Sequence, residues 1–144
     1  MALRIERQVT IAAPAERIFE LITDPQQLGA VNPDIHVLSY EPSPAGGFDI
    51  LWEYRFGMMT LAGESKNVLY VKPSRVVIET QGGVPSHWDW SVRTDGAASL
   101  LALSLDYSVP PALAFMGKLL EKQNEKSVDA QMTNIKRLAE EMNG

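Results

Sequence analysis

After Pro110-Pro111 the chain contains no further proline, and from Pro111 to Met142 its apolar residues recur at helical spacing. At 1.5 Å per residue such a helix is about 48 Å long. A rod of that length cannot hide inside a small domain, so the residues before it must supply a surface broad enough to hold one of its sides. Those residues are written mostly in the period of a β-strand. A sheet with one face covered by a C-terminal helix, an α+β domain, is the arrangement that reconciles the two signals.

The strands are read from alternation. Arg4 to Ala12 places Ile5, Arg7, Val9 and Ile11 on one side and Glu6, Gln8 and Thr10 on the other. Pro14 then opens a short amphipathic helix to Thr23, with Ile18, Phe19, Leu21 and Ile22 on its apolar face. A second short helix fits between Pro25 and Val31 before Asn32-Pro33 breaks it. From Ile35 to Val109 come six further strands: Ile35 to Glu41, Phe48 to Phe56, Met59 to Val71, Arg75 to Gln81, Ser86 to Arg93 and Ser99 to Val109. Their links carry Gly, Pro, Ser or Asp-Gly and are short, so neighbouring strands pair. Within Met59 to Val71 the alternation changes phase near Asn67-Val68, which predicts an irregularity there. At 144 residues one domain spanning 1–144 is expected, burying about 68 to 70% of its unfolded surface.

The stretch Ser86-His87-Trp88-Asp89-Trp90-Ser91-Val92 offers two readings, a His–Asp catalytic pair or two inward tryptophans. Successive strand side chains point to opposite faces, so Trp88, Trp90 and Val92 share one side and His87, Asp89 and Ser91 the other. Burying two indoles, at 150–250 Å² each and about 25 cal/mol per Å², is worth several kcal/mol. The tryptophans therefore face in, and His87 and Asp89 become outward neighbours. The same parity turns Phe48, Ile50, Trp52, Tyr54 and Phe56 inward, together with Leu101, Leu103, Leu105, Tyr107 and Val109. Arg55 and Arg93 fall outside, and only Arg7 shares a parity with inward residues.

The long helix has an uneven face. At 100° per residue Leu113, Met116, Leu120, Val128, Ile135, Leu138 and Met142 form one stripe, opposite Lys122, Asp129 and Glu140, but Gly117, Asn124, Ser127 and Gln131 interrupt it. An unsatisfied buried amide costs about 1 to 3 kcal/mol, so this midsection suits a cavity better than a packed core.

Several chemistries find no support. A formal charge of -5 and a pI near 5.0 leave no basic surplus for nucleic acid. The chain has no cysteine, which removes disulfides, thiolate nucleophiles and cysteine-bound metals and suits a reducing cytoplasm. His36 and His87 have no third ligand nearby, so no metal site is expected. Gly46-Gly47 and Gly82-Gly83 lack the strand-to-helix setting of a phosphate loop, and no serine sits in a nucleophile elbow. The residues call for no cofactor. The N-terminus carries charges where a secretory segment would be apolar, and no apolar run approaches about 18 residues, so stable membrane insertion is not expected and a cytoplasmic protein is.

The order of elements, the opening IERQVTIAAPAERIFELITDPQQL and the late hairpin WSVRTDGAASLLALSLDY resemble the START-like or SRPBCC superfamily, whose helix-grip fold includes the polyketide cyclase/dehydrase group. The resemblance spans essentially the whole chain. It implies a seven-stranded antiparallel sheet curled around the C-terminal helix, with a cavity between them for lipids, polyketides or other hydrophobic molecules. By that likeness Trp52, Tyr54, Trp88, Trp90, Leu105 and Tyr107 line the sheet side, and Met116, Leu120 and Asn124 the helix side. Aromatase/cyclase relatives orient their substrate with an arginine inside the pocket, a feature that the outward Arg55 and Arg93 lack. The expected function is binding of a small hydrophobic ligand. Two alternatives are a cyclase or dehydratase with Tyr54 or Tyr107 as proton donor, and a protein-interaction or regulatory module, with a homodimer left open.

Overall fold

The alternating segments pair as their short links require. The computed structural model describes residues 2–141. Its seven strands are β1 (Ala2–Ile11), β2 (Ile35–Pro42), β3 (Phe48–Phe56), β4 (Met59–Val71), β5 (Arg75–Gln81), β6 (Ser86–Asp95) and β7 (Ala98–Ser108). They form one antiparallel sheet in the order β1-β7-β6-β5-β4-β3-β2. Helices α1 (Ala15–Thr23) and α2 (Leu28–Val31) come after β1, and a 3-10 turn (Pro111–Met116) leads from β7 into α3 (Gly117–Glu141). The two-residue link between β3 and β4 forms because Gly57 takes φ +57°, a left-handed conformation available to glycine at little cost.

The phase change expected in β4 is present. Pairing with β5 slips between Asn67 and Leu69, so Leu61, Ser65 and Asn67 face the interior ahead of the slip. Beyond it the parity reverses. Tyr70 turns in and meets the Phe19 ring edge-on at 5.2 Å, while Leu69 and Val71 are exposed. A second slip lies in β2 between Val37 and Ser39, where the extra residue Leu38 is 52% exposed. A one-residue insertion of this kind bends a strand and re-aims the side chains beyond it.

One end of the interior is solid. Ile18, Phe19 and Leu21 of α1 pack with Ile11, Val92 and Leu101 of the sheet and with Ile135 and Ala139 of α3, all nearly inaccessible. The Ser99 hydroxyl, also buried, donates to Ala13 O at 2.9 Å and so ties the start of β7 to the bend between β1 and α1. Polar links hold α3 to the same end: Asn134 Nδ2 donates to Val31 O at 3.0 Å, Lys136 Nζ to Thr10 O at 3.1 Å, and Ala12 N to a Glu140 carboxylate oxygen at 2.9 Å.

The helix departs from the sequence reading at its start. Pro111–Met116 is a 3-10 turn with no buried residue, and Phe115 within it is 84% exposed. Leu113 and Met116, both placed on the stripe projected for a continuous α-helix, fall in this turn, where residues three apart share a face, and are half-buried. Met142, the last member of that stripe, lies outside the described residues.

Candidate functional site

Between the sheet and the N-terminal two-thirds of α3 lies a cavity. Measured as space open to the centre of a water molecule, its volume is ≈ 160 Å³. One water needs about 10–15 Å³ on that scale, so the space accommodates on the order of ten waters or a compact organic molecule. Every strand except β1 contributes to the wall, as do all three helices.

Trp52, Tyr54, Trp88, Trp90, Leu105, Tyr107, Leu120 and Asn124 all stand on this wall. Met116 does not line it; it falls at the end of the 3-10 turn ahead of α3. The chain's three tryptophans are thus gathered on one surface, with Trp88 and Trp90 stacked at 6.0 Å between centroids. Their partners were less visible in the sequence. Trp52 Nε1 donates to Ser65 Oγ at 2.7 Å, Trp88 Nε1 donates to Ser86 Oγ at 2.9 Å, and Ser86 in turn bonds its cross-strand neighbour Thr80. Ser65 is brought to Trp52 by the pairing of β3 with β4, whereas Ser86 stands two residues before Trp88 on the same strand and shares its face. Asn67 is also a wall residue, and its amide donates to Gly46 O at 2.8 Å.

Gly63 sets the pose of Trp52, which lies directly opposite it on β3. A Cβ at Gly63 would stand 2.5 Å from the Trp52 ring and 2.6 Å from Gln81 O, closer than carbon and oxygen atoms pack. The missing side chain is what lets the indole lie flat against β4.

The polar midsection of α3 faces this space as the uneven stripe predicts, with Asn124, Ser127 and the buried Gln131 on the wall. Gln131 Nε2 donates to Ser127 Oγ at 3.4 Å. The hydroxyls of Tyr54 and Tyr107 are buried with no hydrogen-bond partner; Asn124 approaches Tyr107 without reaching normal bonding geometry. Burial pushes the Tyr107 phenol above its ordinary value, Asn124 partly offsets this, and the nearby carboxylates of Glu121 and Glu125 add to the rise. Tyr107 is therefore a neutral donor at physiological pH.

The ionisable side chains of the strands look the other way. His87 meets Glu79 at 3.4 Å and Asp89 meets Arg75 at 2.8 Å, so the two are not a dyad. Arg4 pairs with Asp106 at 2.8 Å. Arg7, the one arginine with inward parity, is spent on Asp129 of α3 at 2.7 Å and ties β1 to the helix.

The sequence matches the family described as polyketide cyclase/dehydrase and lipid transport over residues 2–140. Among curated proteins none matches. Solved structures share the fold at low identity. The di-domain aromatase/cyclase StfQ of the steffimycin biosynthetic pathway superposes with a TM-score of 0.82 at 12% identity, covering 99% of this chain and 52% of that one. A START superfamily protein from Mycobacterium smegmatis gives 0.77 at 16% identity, over 96% of this chain and 98% of the other. The Zhui aromatase/cyclase from Streptomyces sp. R1128 gives 0.76 at 18%, over 97% and 94%.

Proposed function

The chain belongs to the polyketide cyclase/dehydrase and lipid transport family, and from that premise we propose that it binds a small hydrophobic molecule in the cavity between the sheet and α3. One observation carries the reading: the three tryptophans and two tyrosines converge on a hollow whose opposite wall is the polar midsection of α3. An apolar, aromatic concavity with a few fixed polar groups is what a small-molecule site requires. Trp52, Tyr54, Trp88, Trp90, Leu105, Tyr107, Leu120 and Asn124 are the proposed contacts. The tryptophans also supply the test, since every indole of the protein borders the site. Titration with a panel of long-chain lipids, sterols and aromatic polyketides is expected to give saturable quenching for at least one class. Absence of a saturable response from all of them would sink the proposal. A cytoplasmic setting is part of it, in keeping with the lack of cysteine; among the described residues no helix is long and apolar enough to cross a membrane.

A second reading, cyclase or dehydratase chemistry in the same cavity, draws on the buried and unpartnered hydroxyls of Tyr54 and Tyr107. A neutral phenol can pass a proton to a developing alkoxide as a general acid. Under this reading Tyr54→Phe or Tyr107→Phe abolishes turnover of a bound poly-ketone, read by mass spectrometry of the product, while weakening its binding, read by tryptophan quenching, by no more than about tenfold.

A further inference from the structure

The side chains that line the cavity have a property beyond their apolarity. Among the described residues of the wall there is no Asp, Glu, Lys, Arg or His. The strands do carry charges away from this wall, some of them paired, as Arg4 is with Asp106 and Arg75 with Asp89. Arg7 alone turns toward α3, and Asp129 holds it. Nothing on the wall could neutralise a ligand's charge, and moving an unpaired ion out of water into such surroundings costs several kcal/mol.

The wall's own hydrogen bonds narrow the choice further. The indole N–H groups of Trp52 and Trp88 are taken up by Ser65 and Ser86. The buried wall hydroxyls with no hydrogen-bond partner of either kind belong to Tyr54 on β3 and Tyr107 on β7, strands separated in the sheet by β4, β5 and β6. A carbonyl, ether or hydroxyl oxygen of a ligand would provide an acceptor at the cost of a small local adjustment. The carboxylates close enough to act on Tyr107 are Glu121 and Glu125, and their field opposes an anion.

Resting on the ligand-binding reading, we infer that this site selects against negative charge: it takes an uncharged molecule bearing a hydrogen-bond acceptor and refuses the carboxylate of the same shape. A free fatty acid anion is therefore a poor ligand, and a neutral ketone, amide or alcohol of equal size a good one.

Matched probes test this at pH 7.5 by calorimetry: naphthalene-2-carboxamide, naphthalene-2-carboxylate and 2-naphthylmethylammonium, with dodecanamide and dodecanoate as a longer pair. The amide of at least one set binds saturably, and its carboxylate counterpart binds at least about 100-fold more weakly, the penalty of an unpaired buried ion; the ammonium, which aromatic faces attract, binds more tightly than the carboxylate. Tyr54→Phe and Tyr107→Phe, checked for folding by circular dichroism, each weaken the amide by about 3- to 10-fold, the worth of one hydrogen bond, and leave the order of the probes unchanged. A carboxylate that binds less than about 100-fold more weakly than its amide, or more tightly than the ammonium, overturns this selection while the ligand-binding reading stands. If no member of either set binds although a ligand of the wider panel does, charge selection falls alone; the ligand-binding reading falls only with that whole panel.

Discussion

The two ends of α3 meet the same sheet and make opposite use of it. Toward the C-terminus Met132, Ile135 and Ala139 are buried against α1 and β1, and side chains from α3 reach backbone groups of α2, β1 and the link after it. Toward the N-terminus Leu120 is the one buried residue ahead of Val128, and Asn124 and Ser127 look across a void at tryptophans. The first end is close-packed, where each methylene counts. The second leaves buried hydroxyls unpaired, at about 1 to 3 kcal/mol apiece. A fold that tolerates that cost at one end is stabilised from the other, so stability and ligand contact are assigned to different residues of one helix and one sheet.

Substitutions can break this division. The largest effect is expected at the packed end, where Phe19→Ala removes a side chain only 1% exposed and should lose about 3–5 kcal/mol in urea unfolding. Asn124→Ala, facing the cavity, should cost under about 1 kcal/mol. Equal losses at the two sites would mean that the hollow end is as tightly packed as the other. Next comes Gly63→Ala, which pushes the Trp52 ring off β4 and into the cavity. A loss of about 1–3 kcal/mol, with a shifted tryptophan emission maximum and weakened ligand binding, is expected; an unchanged spectrum would show that Trp52 does not lean on this glycine.

Tyr107→Phe should be neutral or stabilising by up to about 1 kcal/mol, because it deletes a buried hydroxyl that has no partner. Its effect grows with alkalinity. A phenol whose folded value is raised contributes stability that is whole below the ordinary value of 10.0 and is lost as pH climbs through the raised one. The wild type should therefore weaken above about pH 10 more steeply than the phenylalanine variant, as thermal melts at successive pH values would record. The smallest change is expected for Glu140→Gln. Lys136, and after it the Ala12 N–H, hold the Glu140 carboxyl below its ordinary value, so its contribution is present above the ordinary carboxylate range and disappears as pH falls through the lowered value. Unfolding curves of variant and wild type should differ at pH 7 and converge in acid; a constant gap would assign the effect to packing.

Much of this was legible in the chain itself, residue by residue. Alternation in Phe48 to Phe56 and Ser99 to Val109 sorts aromatics inward and charges outward, and the observed wall agrees at Trp52, Tyr54, Leu105 and Tyr107. The reversal near Asn67-Val68 is visible as two apolar neighbours where one is due, and the register slip is there. What escaped were contacts between segments. Ser65 looks like an ordinary strand serine until pairing sets it against the Trp52 indole nitrogen. Gly63 looks like a weak point in a strand until Trp52 is laid over it. Met116 is absent from the wall and lies in a 3-10 turn that helical spacing does not mark.

Local periodicity determines which side of its own strand or helix a residue occupies, because that side depends on backbone geometry alone. By this means the sequence settled the order of elements, the inward tryptophans and the broken stripe of α3. Where those sides meet, whether Arg7 reaches a ligand or Asp129, and where the interior closes or stays open depend on distances between segments far apart in the chain. Those distances are products of sheet curl, bulges and helix placement, which arise only when all the elements pack together.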